Sequence, residues 1–275
     1  MTSNETPDES TEPAQIDTTR AHAARVYDYL LGGRANFEVD REAAERAYAA
    51  WPGGIDAVRA DVREHRAALS RVVRYLVREA GITQFLDIGT GIPTANNTHE
   101  VAQRAGPDTR VVYVDNDPIV LAHARALLTG SPAGATGYVD ADLRDTGTIL
   151  AAAAQTLDFS QPVAVMLVGV LHCIPDEDSP GKIVGRLMDT VPAGSYLTIS
   201  HPASDIHPDE MARGAALMNR SLAGSITFRP HGEVASFFAG LELVPPGLVS
   251  TTQWRPGPGT GPKPLPGWAG VAVKR

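Results

Sequence analysis

The chain of 275 residues has a single cysteine, Cys173, so no disulfide can form within it and a zinc site built on thiolates is implausible. It has no cluster of lysine and arginine: 24 basic residues stand against 32 acidic ones, a formal charge of −8 at pH 7. Nucleic-acid binding needs a basic footprint to neutralise phosphates, so no nucleic-acid partner is expected. Long apolar runs are also missing. The longest, Val163 to Leu171, is about half of the ~18 residues a membrane-spanning helix requires, so no membrane partner is expected. Residues 1–20 lack the basic start and apolar stretch of a signal peptide; they carry Glu5, Pro7, Asp8, Glu9, Glu12, Pro13 and Asp17 instead. They read as a disordered lead-in, and the plain expectation is a soluble cytoplasmic protein.

What is present is a hydrophobic content of 43%, enough for a sizeable core. Residues 21–81 carry helical patterns alone. Ala21 to Leu31 ends at the stop signal Gly32-Gly33, Asp40 to Ala50 is broken by Trp51-Pro52-Gly53-Gly54, and a long amphipathic helix through Val58, Val62, Leu69, Val72, Val73, Leu76 and Val77 stops at Gly81. From Gln84 the pattern alternates. Strand-like runs at 85–88, 110–114, 136–139, 163–170 and 195–200 are separated by helical stretches at 97–105, 119–128, 146–154 and 182–190. This predicts a parallel sheet covered on both faces. Asn97 and Glu100 resemble a capping box at the first connecting helix. Leu241 to Ser250 and Trp268 to Val273 then read as two strands joined by the Gly/Pro-rich stretch 256–267, short enough for antiparallel pairing.

Chemistry concentrates at the C-terminal ends of the predicted strands. Phe85-Leu86-Asp87-Ile88-Gly89-Thr90-Gly91 closes the first, and glycines at 89 and 91 let the backbone turn sharply against a ligand. A lone Gly-x-Gly is also a generic strand–turn–helix. Dinucleotide binders place a third Gly or Ala three positions after the second glycine; here Thr94 stands there, and Asp87 precedes the first glycine. Both departures favour S-adenosylmethionine (AdoMet) over NAD. Asp115, in Tyr113-Val114-Asp115-Asn116-Asp117-Pro118, stands where an acid accepts from ribose hydroxyls. Its other reading, an N-cap, is one that Asp117 can fill with Pro118 at the first helical position. Asp142, in Val139-Asp140-Ala141-Asp142-Leu143, can accept from an adenine amino group or be a solvated loop acid. Val168-Gly169-Val170-Leu171-His172-Cys173-Ile174-Pro175 closes the fourth strand, on the edge where ligands lie in open α/β sheets.

Taken in order, these motifs resemble those of class I AdoMet-dependent methyltransferases. Arg25-Val26-Tyr27-Asp28-Tyr29-Leu30-Leu31-Gly32-Gly33 with Asn36-Phe37, Thr98-His99-Glu100-Val101-Ala102-Gln103 and Leu243-Val244-Pro245-Pro246-Gly247-Leu248-Val249 are similar to blocks of an uncharacterised bacterial S-adenosyl methyltransferase family. The likeness runs from about Arg25 to the C-terminus. It implies a Rossmann-like α/β fold, mostly parallel with a terminal antiparallel strand pair, over 82–275, with 21–81 as a helical cap. It implies AdoMet, with S-adenosylhomocysteine as product, contacted by Asp87, Gly89, Gly91, Asp115, Asn116, Asp142 and Leu143, with Ile88, Thr90, Val168 and Gly169 on the same edge. It supplies no acceptor.

The acidic composition and the lack of a docking module point to a small-molecule acceptor. The sulfonium is already activated, so alignment does most of the work, up to roughly 7–11 kcal/mol, with a general base adding about 10²–10⁴-fold. His172 is the candidate base; its alternative is a hydrogen-bonded structural histidine. Tyr27, Asp28 and Asn36 are lid or substrate candidates on a segment that either closes over the ligand edge or only covers an apolar face. His201, Asp205 and His207 are set in a loop by Pro202 and Pro208, and no metal site is assigned to them. Two other functions stay open: a non-catalytic AdoMet or S-adenosylhomocysteine-binding module, and an NAD-dependent oxidoreductase.

Overall fold

The computed structural model describes residues 17–49, 51, 53–127, 133–257 and 263–275. Residues 1–16 of the lead-in, Ala50, Pro52, Leu128 and the middle of the 256–267 stretch lie outside the described residues.

The parallel sheet follows from strands buried on both faces. β1 (Gln84–Ile88), β2 (Arg110–Asp115), β3 (Ala135–Asp140), β4 (Ala164–Val168) and β5 (Tyr196–Pro202) are parallel in the order β3-β2-β1-β4-β5. Alternate residues feed two cores. Leu86, Ile88, Val112, Val114, Val165, Leu167, Leu197 and Ile199 pack on one face, and Phe85, Val111, Tyr113, Ala164 and Met166 pack on the other. A strand covered on both sides reads as a continuous apolar run, which is why these runs were visible in the sequence.

The helices between strands are α4 (Thr98–Ala105), α5 (Pro118–Leu127), α6 (Thr146–Ala153) and α7 (Pro180–Thr190). Their starts are chemically marked. Glu100 Oε2 accepts from Asn97 N–H at 3.2 Å, and Asp117 Oδ1 accepts from Ile119 N–H at 2.9 Å with Pro118 in the first turn. Asp117 is therefore the cap of α5, which releases Asp115 from that job.

The last strand, β8 (Gly267–Val273), inserts antiparallel beside β5. The expected strand over 241–250 is instead two short ones, β6 (Glu242–Leu243) and β7 (Val249–Ser250), each paired antiparallel with β8. Pro245 and Pro246 have no N–H to give a ladder and Gly247 turns back at φ 92°, so one continuous strand cannot form there. Pairing with β8 also lengthens β5, joining His201 to Trp268 and Pro202 to Gly267. His201 is thus in a strand and buried, not in the loop that its flanking prolines suggested.

Ahead of the sheet come α1 (Ala23–Leu30), α2 (Glu38–Tyr48) and α3 (Gly54–Arg78). α3 serves two layers. Its C-terminal half packs Leu69, Val72, Val73 and Leu76 on the sheet, whereas Val58 joins a separate core with Val26 and Leu30 of α1 and Ala43, Ala44 and Ala47 of α2. Met218 and the following Leu222 bring α8 (Pro208–Ser221) into that same core. α8 and the short α9 (His231–Ser236) were not read from the sequence. Pro208 with Asp209 and Glu210 in its first turn, then Met211 and Met218 on one face, is the signal that marks α8. A buried pair holds the first two helices together: Arg25 Nε lies 3.1 Å from Asp40 Oδ2, and Asp40 also accepts from His22 and Phe37 backbone N–H.

Candidate active site

The sheet order reverses between β1 and β4, so a crevice opens at the C-terminal ends of these strands. There Gly89 and Gly91 take φ of +74° and +65°. They do different work. A Cβ on Gly89 would run into Val170, so this glycine lets the β1 and β4 loops touch. A Cβ on Gly91 would meet nothing within 4 Å, so this one faces open space. Asp87 sits under the turn with Thr98 Oγ1 donating to its Oδ2 at 2.6 Å. Burial pushes its carboxyl up to about 6, against the lowering effects of Thr98 and Arg66.

Asp115 ends β2, and its two oxygens accept from Gly91 N–H at 2.9 Å and Asp117 N–H at 3.0 Å. Burial raises its pKa while those two N–H groups lower it. The carboxylate thereby fixes the glycine turn to the end of β2. After β3, Asn116 Nδ2 donates to Asp142 Oδ2 at 3.0 Å, and Arg144 bridges Asp142 and Asp178. Leu143 is buried in the sheet core beside them. Asp87, Ile88, Gly89, Thr90, Gly91, Asp115, Asn116, Asp142, Leu143, Val168 and Gly169 therefore share one edge of the sheet, at the ends of β1 to β4 or in the loops that leave them. Gly91 faces open space on that edge, so AdoMet can approach its backbone where a side chain would stand in the way. A broader depression of about 590 Å³ flanks that turn, lined by Ile92 to Ala95 on one side and by Arg34, Arg63 and Arg66 on the other.

The trio Tyr27, Asp28 and Asn36 divides. Asp28 is buried, and its Oδ2 accepts from Ala35 N–H at 2.9 Å and Asn36 Nδ2 at 2.7 Å, so these two residues hold the turn after α1. Tyr27 turns the other way, with its hydroxyl 3.1 Å from His65 Nδ1. His65 Nε2 lies 2.5 Å from Ser200 Oγ on β5, closing a chain Tyr27–His65–Ser200. α1 is clasped to the sheet edge where His22 Nδ1 lies 2.8 Å from Asp117 Oδ2.

Beneath α1 this chain faces a cavity of about 220 Å³, walled by α1, the N-terminal half of α3, α8 and the ends of β4 and β5. Val26, Val62, Met211, Met218, Ile226 and Phe228 make it apolar, and Gly169 and His172 bring it to the ligand edge. His172 Nδ1 is buried without a partner among the described residues. Burial, then His201 and His65, lowers the His172 pKa to about 3; burial lowers His65 to about 4. His201 is tied elsewhere, its Nδ1 2.9 Å from Pro202 O and its Nε2 3.1 Å from Arg229 Nη1. Asp205 accepts from Trp268 Nε1 and His231 N–H. His65, Asp61 and Ser200 went unread in the sequence. On a long amphipathic helix, Asp61 and His65 look like a solvated face until α1 and α8 cover it.

A family described as S-adenosyl methyltransferase matches residues 9–275. A DUF574 family protein from Streptomyces avermitilis MA-4680 is 42% identical, aligns over 95% of this chain and 100% of its own, and superposes with a TM-score of 0.90. A candidate methyltransferase from Thermobifida fusca YX is 41% identical over 97% of this chain and 99% of its own, with a TM-score of 0.86. The mitomycin 7-O-methyltransferase MmcR shares the fold alone, at 18% identity, with a TM-score of 0.51 over 91% of this chain and 68% of its own. No curated protein matches.

Proposed function

The chain belongs to the S-adenosyl methyltransferase family and is an AdoMet-dependent methyltransferase; from that premise we propose that its acceptor is a small, largely apolar molecule held in the cavity under α1 and α8. The observation that carries this is the placement of that cavity: it is apolar, at about 220 Å³ it admits only a small compound, and it ends at Gly169 and His172 on the cofactor edge.

In this reading Asp115 receives the ribose, Asn116, Asp142 and Leu143 the adenine, and the turn Asp87 to Gly91 the amino-acid end. Arg66, whose charge already lowers the Asp87 pKa, supplies a cation for a carboxylate there. Val168 and Gly169 leave room where the two sites meet. Residues 21–81 act as a cap that completes the acceptor cavity, and 82–275 form the catalytic core. Bound AdoMet supplies a methyl group on a sulfonium that needs no further activation. The chain's own task is alignment and exclusion of water, which the apolar walls serve. His172 Nδ1 lacks a partner among the described residues, and with the ring proton on Nε2 it accepts from the O–H or N–H of the methyl acceptor. Both His172 and His65 are neutral at pH 7 because burial disfavours the imidazolium, so His172 takes the acceptor's proton only as transfer proceeds, while His65, whose two ring nitrogens meet Tyr27 and Ser200, reaches the acceptor only through that chain.

The test is transfer of a labelled methyl group from AdoMet into a bacterial extract separated into low-mass, protein and nucleic-acid fractions. Label is expected in the low-mass fraction. Label confined to protein or nucleic acid overturns the assignment.

A further inference from the structure

We propose that Asp61 is the acceptor's anchor, and that the acceptor is a hydroxylated aromatic amine whose protonated nitrogen pairs with this carboxylate while its hydroxyl lies one helical turn away at His65. The inference rests on the cavity being the acceptor site.

Among the described residues lining the cavity, Asp61 is the one carboxylate, and there is no lysine or arginine beside it. It makes no hydrogen bond and no ion pair with any described residue, whereas the buried Asp28, Asp40 and Asp87 each have partners. A half-buried carboxylate left unpaired costs stability and is kept where it has a ligand to meet. Burial pushes its pKa up to about 6, with His207 opposing this, so the carboxylate is the predominant form at pH 7.

The surroundings fit a cation on a ring. Tyr27, Tyr48, Trp51 and Phe228 line the same space, and aromatic faces attract ammonium groups as well as other rings. Tyr48 and Trp51 already meet edge to face, with centroids 6.0 Å apart.

Spacing supplies the second group. Asp61 and His65 are four residues apart on α3, hence on one face and about 6 Å apart along the axis. His65 is at the cofactor end, with its Cε1 3.6 Å from the position of a Cβ on Gly169. A protonated nitrogen has no lone pair, so the anchored amine is not the atom methylated. The nucleophile is the group at the His65 end, and a hydroxyl there meets the Tyr27–His65–Ser200 chain.

Three probes separate charge from shape: tyramine, tyrosol and 4-hydroxyphenylacetate present one phenol with a cationic, neutral and anionic tail. Each is titrated calorimetrically into protein saturated with S-adenosylhomocysteine. Tyramine is expected to bind at least about tenfold more tightly than tyrosol, with the anion weakest. Asp61→Asn is expected to bring tyramine to the affinity of tyrosol and to leave tyrosol unchanged. Two cavity-filling variants, Gly214→Phe and Ala23→Phe, are expected to abolish binding of all three. Probes that are excluded by the filled cavity but show no tyramine preference, or one that survives Asp61→Asn, overturn the anchor and spare the cavity. Binding that persists in a folded filled variant, or no binding of any probe to the wild type, overturns both.

Discussion

At the scale of single residues, the two glycines of the turn after β1 predict opposite failures. Both have positive φ, where an alanine costs roughly 1–2 kcal/mol. At Gly89 a methyl group also strikes Val170, adding about 1–3 kcal/mol of overpacking. Gly89→Ala is therefore expected to lower the urea midpoint strongly. Gly91→Ala has open space, so it is expected to fold with a small stability loss and to weaken AdoMet binding at least about tenfold. Calorimetric titration beside urea denaturation checks both, and equal stability losses with unchanged affinity at Gly91 would remove this glycine from the site. The motif was legible in the sequence because it stands in order with Asp115 and Asp142 at successive strand ends, since a Gly-x-Gly alone is a generic turn. The division of labour between them was not, because Val170 lies 81 positions away in the chain.

At the scale of elements, α8 is the unexpected participant. It follows β5, yet packs Met218 against the helices that precede the sheet. Met218→Ala is expected to cost about 2–5 kcal/mol, read from urea unfolding, because it empties a buried site between three helices. A loss below about 0.5 kcal/mol would mean that α8 is only loosely seated on the cap. The parallel strands were readable because burial on both faces leaves an unbroken apolar run. The 241–250 strand was misjudged because its apolar residues flank Pro245 and Pro246, which cannot take part in a ladder as donors.

At the scale of the whole molecule, the buried imidazoles set the acid response. His65 and His201 are lowered to about 4 and His172 to about 3, chiefly by burial. Unfolded, each takes a proton near pH 6.5. The unfolded chain thus binds more protons as pH falls from about 6.5 towards about 4, and stability is lost across that window. Asp61 and Asp87 work in the other direction, since their raised pKa values of about 6 let the folded state hold protons that the unfolded chain releases. The decline is therefore expected to run from about pH 6.5 towards about 4 and to be shallower than the three imidazoles alone would give. Urea midpoints at half-unit steps of pH, for the wild type and His172→Phe, check this. A wild-type midpoint that is flat between pH 7 and 5 would show that these imidazoles are not held neutral.

The α/β class, the order of the motifs along one sheet edge and the cofactor they suit are written locally, because each rests on residues adjacent in the chain: an apolar run, a glycine turn, an acid at a strand end. What lies opposite that edge depends on contacts between distant segments. Tyr27, Asp61, His65, His172 and Ser200 belong to four segments that meet when α1, α3 and α8 close over the ends of β4 and β5. Local pattern reports which face of a helix is apolar, but a polar residue on the other face acquires its chemistry from what covers it, and that cover comes from elsewhere in the chain.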